Sequence, residues 1–195
     1  MNKVGLISLV LLLALGSLGI SYATWSNNLT MNGTMTTASL PTSVYKAPSL
    51  SIPTSGQFTN PNNAFSQNLV YAYCTSAKSQ QYANFGFNIP VGSTIQGIQI
   101  DVIGYCNNSD AYITASMSSN GGSSFSATKT TTSFKGTSNL SKSLGGPTDL
   151  WGTTWSGNYF SDLNFRLKLD STGNMSGGHH FNIDYVKATI YYTPP

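Results

Sequence analysis

The chain has 195 residues, enough for one domain of ordinary size with a leader and a linker besides. Only 8% of them are charged, against about a quarter in most soluble proteins, and all six acidic residues are aspartate. The formal charge of +3 is scattered, which excludes the clustered basic stripe that nucleic acid requires, and the many Thr, Tyr, Val and Ile beside few helix formers point to an all-β chain.

Residues 1–23, "MNKVGLISLVLLLALGSLGISYA", join Lys3 to an apolar run from Val4 to Leu15 and then to Ser21-Tyr22-Ala23. This is the build of a signal peptide cleaved after Ala23, and its loss brings the net charge to roughly +2. The alternative is an uncleaved anchor, since Val4 to Ile20 is about long enough to cross a thin bilayer. Either way the rest of the chain is expected outside the cell or at its surface, touching a membrane only through an uncleaved leader.

Residues 24–37, "TWSNNLTMNGTMTT", alternate with the period of a β-strand. Trp25, Leu29, Met31 and Met35 form one apolar face, and Asn28 and Asn32 lie on the opposite, polar one. From 38 to 57 the prolines at 41, 48 and 53 predict an extended connector, not a central strand. About nineteen such residues reach up to roughly 60 Å.

The body is expected over 58–195, with strands near Gln67–Cys74, Gln81–Ile89, Ile95–Tyr105, Ala111–Ser118, Phe125–Phe134, Asp162–Asp170 and Phe181–Thr193. The apolar positions of "IQGIQIDVIGY" change sides near Gly97, which marks a bulge. In the last strand Phe181, Ile183 and Tyr185 on one face give way to Val186, Ala188 and Ile190 on the other. Short strands with glycine-rich turns and no helical stripe predict a β-sandwich, jelly-roll-like, with a separate N-terminal strand.

Cys74 and Cys106 lie at predicted strand ends in a chain bound for an oxidising compartment. A bridge between them is expected to contribute roughly 3–4 kcal/mol; the other reading is a pair of unbridged, buried thiols. With no further cysteine, zinc is not expected. Five Asn-x-Ser/Thr triplets, at Asn28, Asn32, Asn107, Asn139 and Asn174, are candidate glycosylation sites.

No constellation for chemistry stands out, so no catalytic, cofactor or metal site is expected and the protein is read as non-enzymatic. Asp149 and Asp162 are expected to tie turns through backbone N–H groups. Ser126 and Lys129 match a Ser-x-x-Lys spelling without its companion motifs. His179 and His180 sit in a turn, pointing apart. In "DLWGTTWSGNYF", Trp151, Trp155 and Tyr159 are either a stacking platform for sugars or core residues with satisfied indole N–H groups.

Two stretches carry resemblances. "LGSLGISYATWSNNLTMNGTMTTASL" resembles the leader and first mature residues of the TasA/camelysin group, exported matrix and filament proteins often handled by a SipW-type peptidase. That resemblance implies assembly outside the cell with the N-terminal segment taking part. "FGFNIPVGSTIQGIQIDV", "TDLWGTTW", "DLNFRLKL" and "IDYVKATIYYT" resemble a β-sandwich module of prokaryotic surface and phage-associated proteins that has no agreed activity.

The function expected is that of a secreted structural protein, a subunit of an extracellular filament or biofilm matrix. Residues 24–37 would add as a strand to an open edge of the next copy, giving a head-to-tail homo-oligomer. Burying Trp25, Leu29, Met31 and Met35 there represents on the order of 6–10 kcal/mol of gross hydrophobic gain. The competing reading folds that strand back on its own sandwich. The alternative function is a carbohydrate-binding or adhesin module tethered at the surface, with surface glycans as partner.

Overall fold

The structure, a computed structural model, describes residues 39–175 and 178–195; the leader and the predicted strand 24–37 lie outside them. The chain runs through β1 (Thr42–Lys46), β2 (Leu50–Ile52), β3 (Ala72–Cys74), β4 (Ser79–Ala83), β5 (Thr94–Asn107), β6 (Ala111–Ser118), β7 (Lys129–Thr130), β8 (Lys135–Gly136), β9 (Leu140–Gly146), β10 (Arg166–Gly173) and β11 (Phe181–Thr193). Short 3-10 turns at Pro61–Phe65 and Gly157–Phe160 interrupt it.

One sheet has the order β1-β11-β5-β9, with β3 continuing the β1 side of β11 and β8 extending the β9 side of β5. The other has the order β2-β4-β10-β6-β7. Their inner faces share a single core, and successive long strands pass from one sheet to the other. This is a β-sandwich with the strand order of a jelly roll.

The two longest strands explain the frame. β5 and β11 pair over nearly their whole length, and each breaks its alternation once. The register shifts opposite Tyr191 and Tyr192, where β5 steps from Gly97 to Ile95; this is the bulge the sequence marks at Gly97. A second shift lies between Ile183 and Tyr185. The extra residue there, Asp184, reverses the parity, so Phe181, Ile183, Val186, Ala188 and Ile190 all reach the core and are fully buried. Tyr185, expected to side with Phe181 and Ile183, faces outward instead.

The connector assigned to 38–57 is corrected. Thr42–Lys46 pairs with β11 and Leu50–Ile52 pairs with β4, so the sandwich begins at β1. Pro41 and Pro53 bound these strands and Pro48 is buried where the chain crosses between sheets. Proline is compatible with such edge strands because, among the described residues, each has one neighbour to bond.

The expected disulfide is corrected as well: Cys74 and Cys106 are buried and unpaired. Both are register partners of Phe181, Cys74 from β3 on one side and Cys106 from β5 on the other. Two interstrand spacings put their Cα atoms roughly 10 Å apart, where a disulfide needs about 4.4–6.8 Å. Cys74 instead packs its sulfur 3.3 Å from Ser171 Oγ and 3.6 Å from Met175 Sδ. Burial pushes its thiol up to about 11, and burial beside Asp110 raises that of Cys106 too.

Candidate functional site

The sheet edges are the first place to look, because an unpaired strand edge is a template for another strand. Among the described residues β1 pairs only with β11, and β9 only with β5, so there they bound opposite sides of the first sheet. Thr42 lies opposite Tyr192, near the C-terminal end of β11. Ser39, Leu40 and Pro41 run into β1 without a turn or bend. Leu40 precedes proline, which keeps it out of the helical region that a tight reversal would use. The strand with the longest outer edge is β9, seven residues that alternate Leu140, Lys142 and Leu144 with Ser141 and Ser143.

The tryptophan loop resolves differently from a sugar platform. Trp151 is fully buried and donates its indole N–H to Ile98 O at 2.8 Å. Trp155 is half-buried, donates to Leu150 O at 3.0 Å and stacks on Phe160 at 5.4 Å between centroids. Only Tyr159 of the three is exposed. Trp151 adopts φ 56°, and its backbone N–H is held at 2.9 Å by Asp149 Oδ1. Lys129 Nζ lies 2.8 Å from Asp149 and 5.5 Å from the Trp151 ring centroid. That hydrogen bond from Lys129 is the main reason the Asp149 carboxyl is held below the usual range, with the Trp151 N–H adding to it. Asp149 and, through Gly86 N–H at 2.8 Å, Asp162 tie turns as expected.

No family model and no curated protein matches the chain. Two solved structures do, those of infectious bursal disease virus Gx strain and Gt strain. The first is 8% identical with a TM-score of 0.32, over 87% of this chain and 37% of that one. The second is 9% identical with the same TM-score, over 87% and 36%. The chain thus spans little more than a third of either matched chain, and so slight a likeness carries no functional argument.

The remaining candidates are scattered. Asn107 and Asn174 are both exposed, and Ser109, two residues after Asn107, donates its Oγ–H to Asn174 O. Asn139 is corrected as a glycosylation site on the folded protein, because the nitrogen a glycan would use donates to buried Asp184 at 2.7 Å. Asp184 also accepts the N–H groups of Asn68 and Leu69, at 3.1 and 2.7 Å, pinning a loop to the β11 bulge. Ser126 Oγ accepts Met117 N–H while Lys129 is paired with Asp149, so the two do not form a nucleophile and base. His179 contacts Asn107 O and His180 stacks on Tyr73. Among the described residues no three His, Cys, Asp or Glu side chains gather as a metal site would require. Asn28, Asn32, Trp25, Leu29, Met31 and Met35 lie outside the described residues.

Sequence reasoning missed β9 and the tyrosines on the outer side of the first sheet. The signals were present: the Leu-Ser-Lys-Ser-Leu alternation for β9, and phenols at alternate positions in Tyr71-Ala-Tyr73 and again at Tyr105, Tyr185 and Tyr191.

Proposed function

We propose that this protein is an exported, non-enzymatic structural subunit that polymerises by adding residues 24–37 as a strand to a second copy. The observation that carries the reading is the straight run of Ser39–Pro41 into β1 at the rim of the first sheet. Only residues 38–41 then separate the predicted strand from β1, a leash of roughly 13–14 Å in place of the nineteen-residue reach expected from the sequence. The unturned course of Ser39–Pro41, with Leu40 held extended before proline, favours a segment that leads away from its own sheet over one that doubles back along β1. The acceptor in this reading is the outer edge of β9, on the opposite side of the sheet from β1. Donor and acceptor on different edges make a heterologous contact, which propagates into a filament unless the rotation closes a ring. The resemblance around Trp25 to TasA/camelysin proteins supports the same reading.

The test compares the mature chain with a version lacking residues 24–37 and with Met31→Asp, by size analysis and negative-stain microscopy. Polymers are expected from the first alone, with the sandwich melting alike in all three. Polymers of the truncated chain would overturn the reading.

A further inference from the structure

Outward-facing positions of the first sheet are occupied by tyrosine to an unusual degree. Register partners share a face, so the fully buried Phe181, Ile183, Val186, Ala188 and Ile190 place their neighbours on the other side. Tyr73 and Tyr105 stand on either side of Asn182, roughly 10 Å apart by two strand spacings. Tyr185 and Tyr191 follow along β11, roughly 20 Å from one another. Tyr45 on β1 flanks them beside Thr189 and is 65% exposed.

The rings of Tyr73, Tyr105, Tyr191 and Tyr45 are held by neighbours. Tyr71 meets Tyr105 edge-on at 5.4 Å, and His180 stacks on Tyr73 at 5.1 Å. Tyr191 donates its O–H to Gln99 Oε1 at 3.2 Å, and Gln99 donates onward to Asp101 at 2.7 Å. Lys187 Nζ lies 3.5 Å from Asp101 and 5.2 Å from the Tyr45 ring centroid. The side chains therefore lose little freedom on binding, which is the advantage of tyrosine in recognition surfaces.

The chemistry of the face selects its ligand. Its cation and its carboxylate, Lys187 and Asp101, neutralise each other, so no net charge is offered to nucleic acid or an anionic lipid surface. Ile103 opposite Tyr185 is the aliphatic side chain among the described outward strand positions, and exposed Leu69 and Val70 stand in the loop at the β11 bulge, at one end of the track and not along it, which is little apolar area for a hydrophobic protein contact. What is offered is a row of half-buried phenol rings beside the exposed ring of Tyr45, interleaved with amide and hydroxyl groups. That pattern suits an uncharged pyranose, whose C–H face packs on a ring while its hydroxyls take hydrogen bonds.

We propose that the outer face of the first sheet binds a neutral polysaccharide chain, lying along β11 across Tyr73, Tyr105, Tyr185 and Tyr191. The length of the tyrosine track calls for several linked sugars, not a single one. This surface is separate from the tryptophan loop, and the proposal does not depend on polymerisation.

The mature full-length protein is tested by co-sedimentation with insoluble cellulose and chitin and by affinity electrophoresis in gels containing xylan or mannan. Retention by at least one is expected, with Tyr105→Ala plus Tyr185→Ala weakening it at least about tenfold. Tyr159→Ala, on the tryptophan loop, is expected to bind unchanged. Tyr45→Ala alters an exposed ring and still reports a loss if the double variant does not fold. No retention on any of these polysaccharides would overturn the proposal. So would loss of binding in Tyr159→Ala alone, or tighter binding to single-stranded DNA than to every glycan.

Discussion

Trp151 shows how one residue can be frozen out of the role its type suggests. Its φ of 56° is sparsely populated for a non-glycine residue, and the Asp149 and Lys129 contacts hold it there. Trp151→Ala is expected to destabilise the sandwich by about 3–5 kcal/mol in urea unfolding, as for other large buried aromatics. Trp151→Phe keeps most of the packing but leaves Ile98 O without its indole donor, for an expected loss of about 1–3 kcal/mol. Asp149 adds a pH signature. Its folded-state carboxyl is held below the ordinary value, so its contribution is present above the unfolded pKa and fades as pH falls through the folded one. Thermal melts of Asp149→Asn should therefore lose less stability on acidification than those of the parent protein. The raised thiols of Cys74 and Cys106 predict no reaction with a thiol reagent at neutral pH until the protein unfolds, and then reaction of both. Equal mobility of the oxidised and reduced protein in a denaturing gel would confirm the absence of a bridge.

At the scale of elements, β5 and β11 depend on close backbone approach at their irregular points. A Cβ at Gly104 would lie 2.2 Å from Asn182 O, a backbone atom beside the β11 bulge that cannot yield as a side chain would. Gly104→Ala is expected to cost about 1–3 kcal/mol, read as a lower urea midpoint at unchanged slope. β9 supplies the matching prediction for assembly. If its outer edge accepts a strand, some amides within Leu140–Gly146 should exchange more slowly in polymer than in monomer, while those of Thr42–Lys46 should not change. Ala111–Ser118 was legible end to end because alternation persisted along it, and Phe181–Thr193 because two alternating runs follow one another in it. The short edges β1, β2 and β9 were not, because proline, serine and glycine blur a period that few residues carry and one neighbouring strand is enough to enforce. The same limit shortened Phe125–Phe134 to the two-residue β7.

For the whole molecule, the tyrosine face and the sheet edges are parts of one layout. The first sheet turns its aliphatic side inward and its phenols outward, and offers β1 and β9 at its rims. A filament built through those rims would repeat the outer face along its length, so a polysaccharide bound weakly by one copy would be held more firmly by many. The polymer is therefore expected to pull down glycan at lower protomer concentration than the monomeric variant lacking residues 24–37. Equal retention of the two would separate the binding face from assembly. The sequence alone determined that the chain is all-β, where its long strands lie, and that its apolar positions change sides near Gly97 and within Phe181–Ile190, because side-chain period is local and survives in the order of residues. Only the tertiary structure decided which strands are neighbours. Interposing β11 between β3 and β5 keeps Cys74 from Cys106, folding the loop inward buries Trp151, and a single extra residue at Asp184 turns Tyr185 to the surface. Each of these outcomes is set by pairing between residues far apart in the chain, which no local pattern encodes.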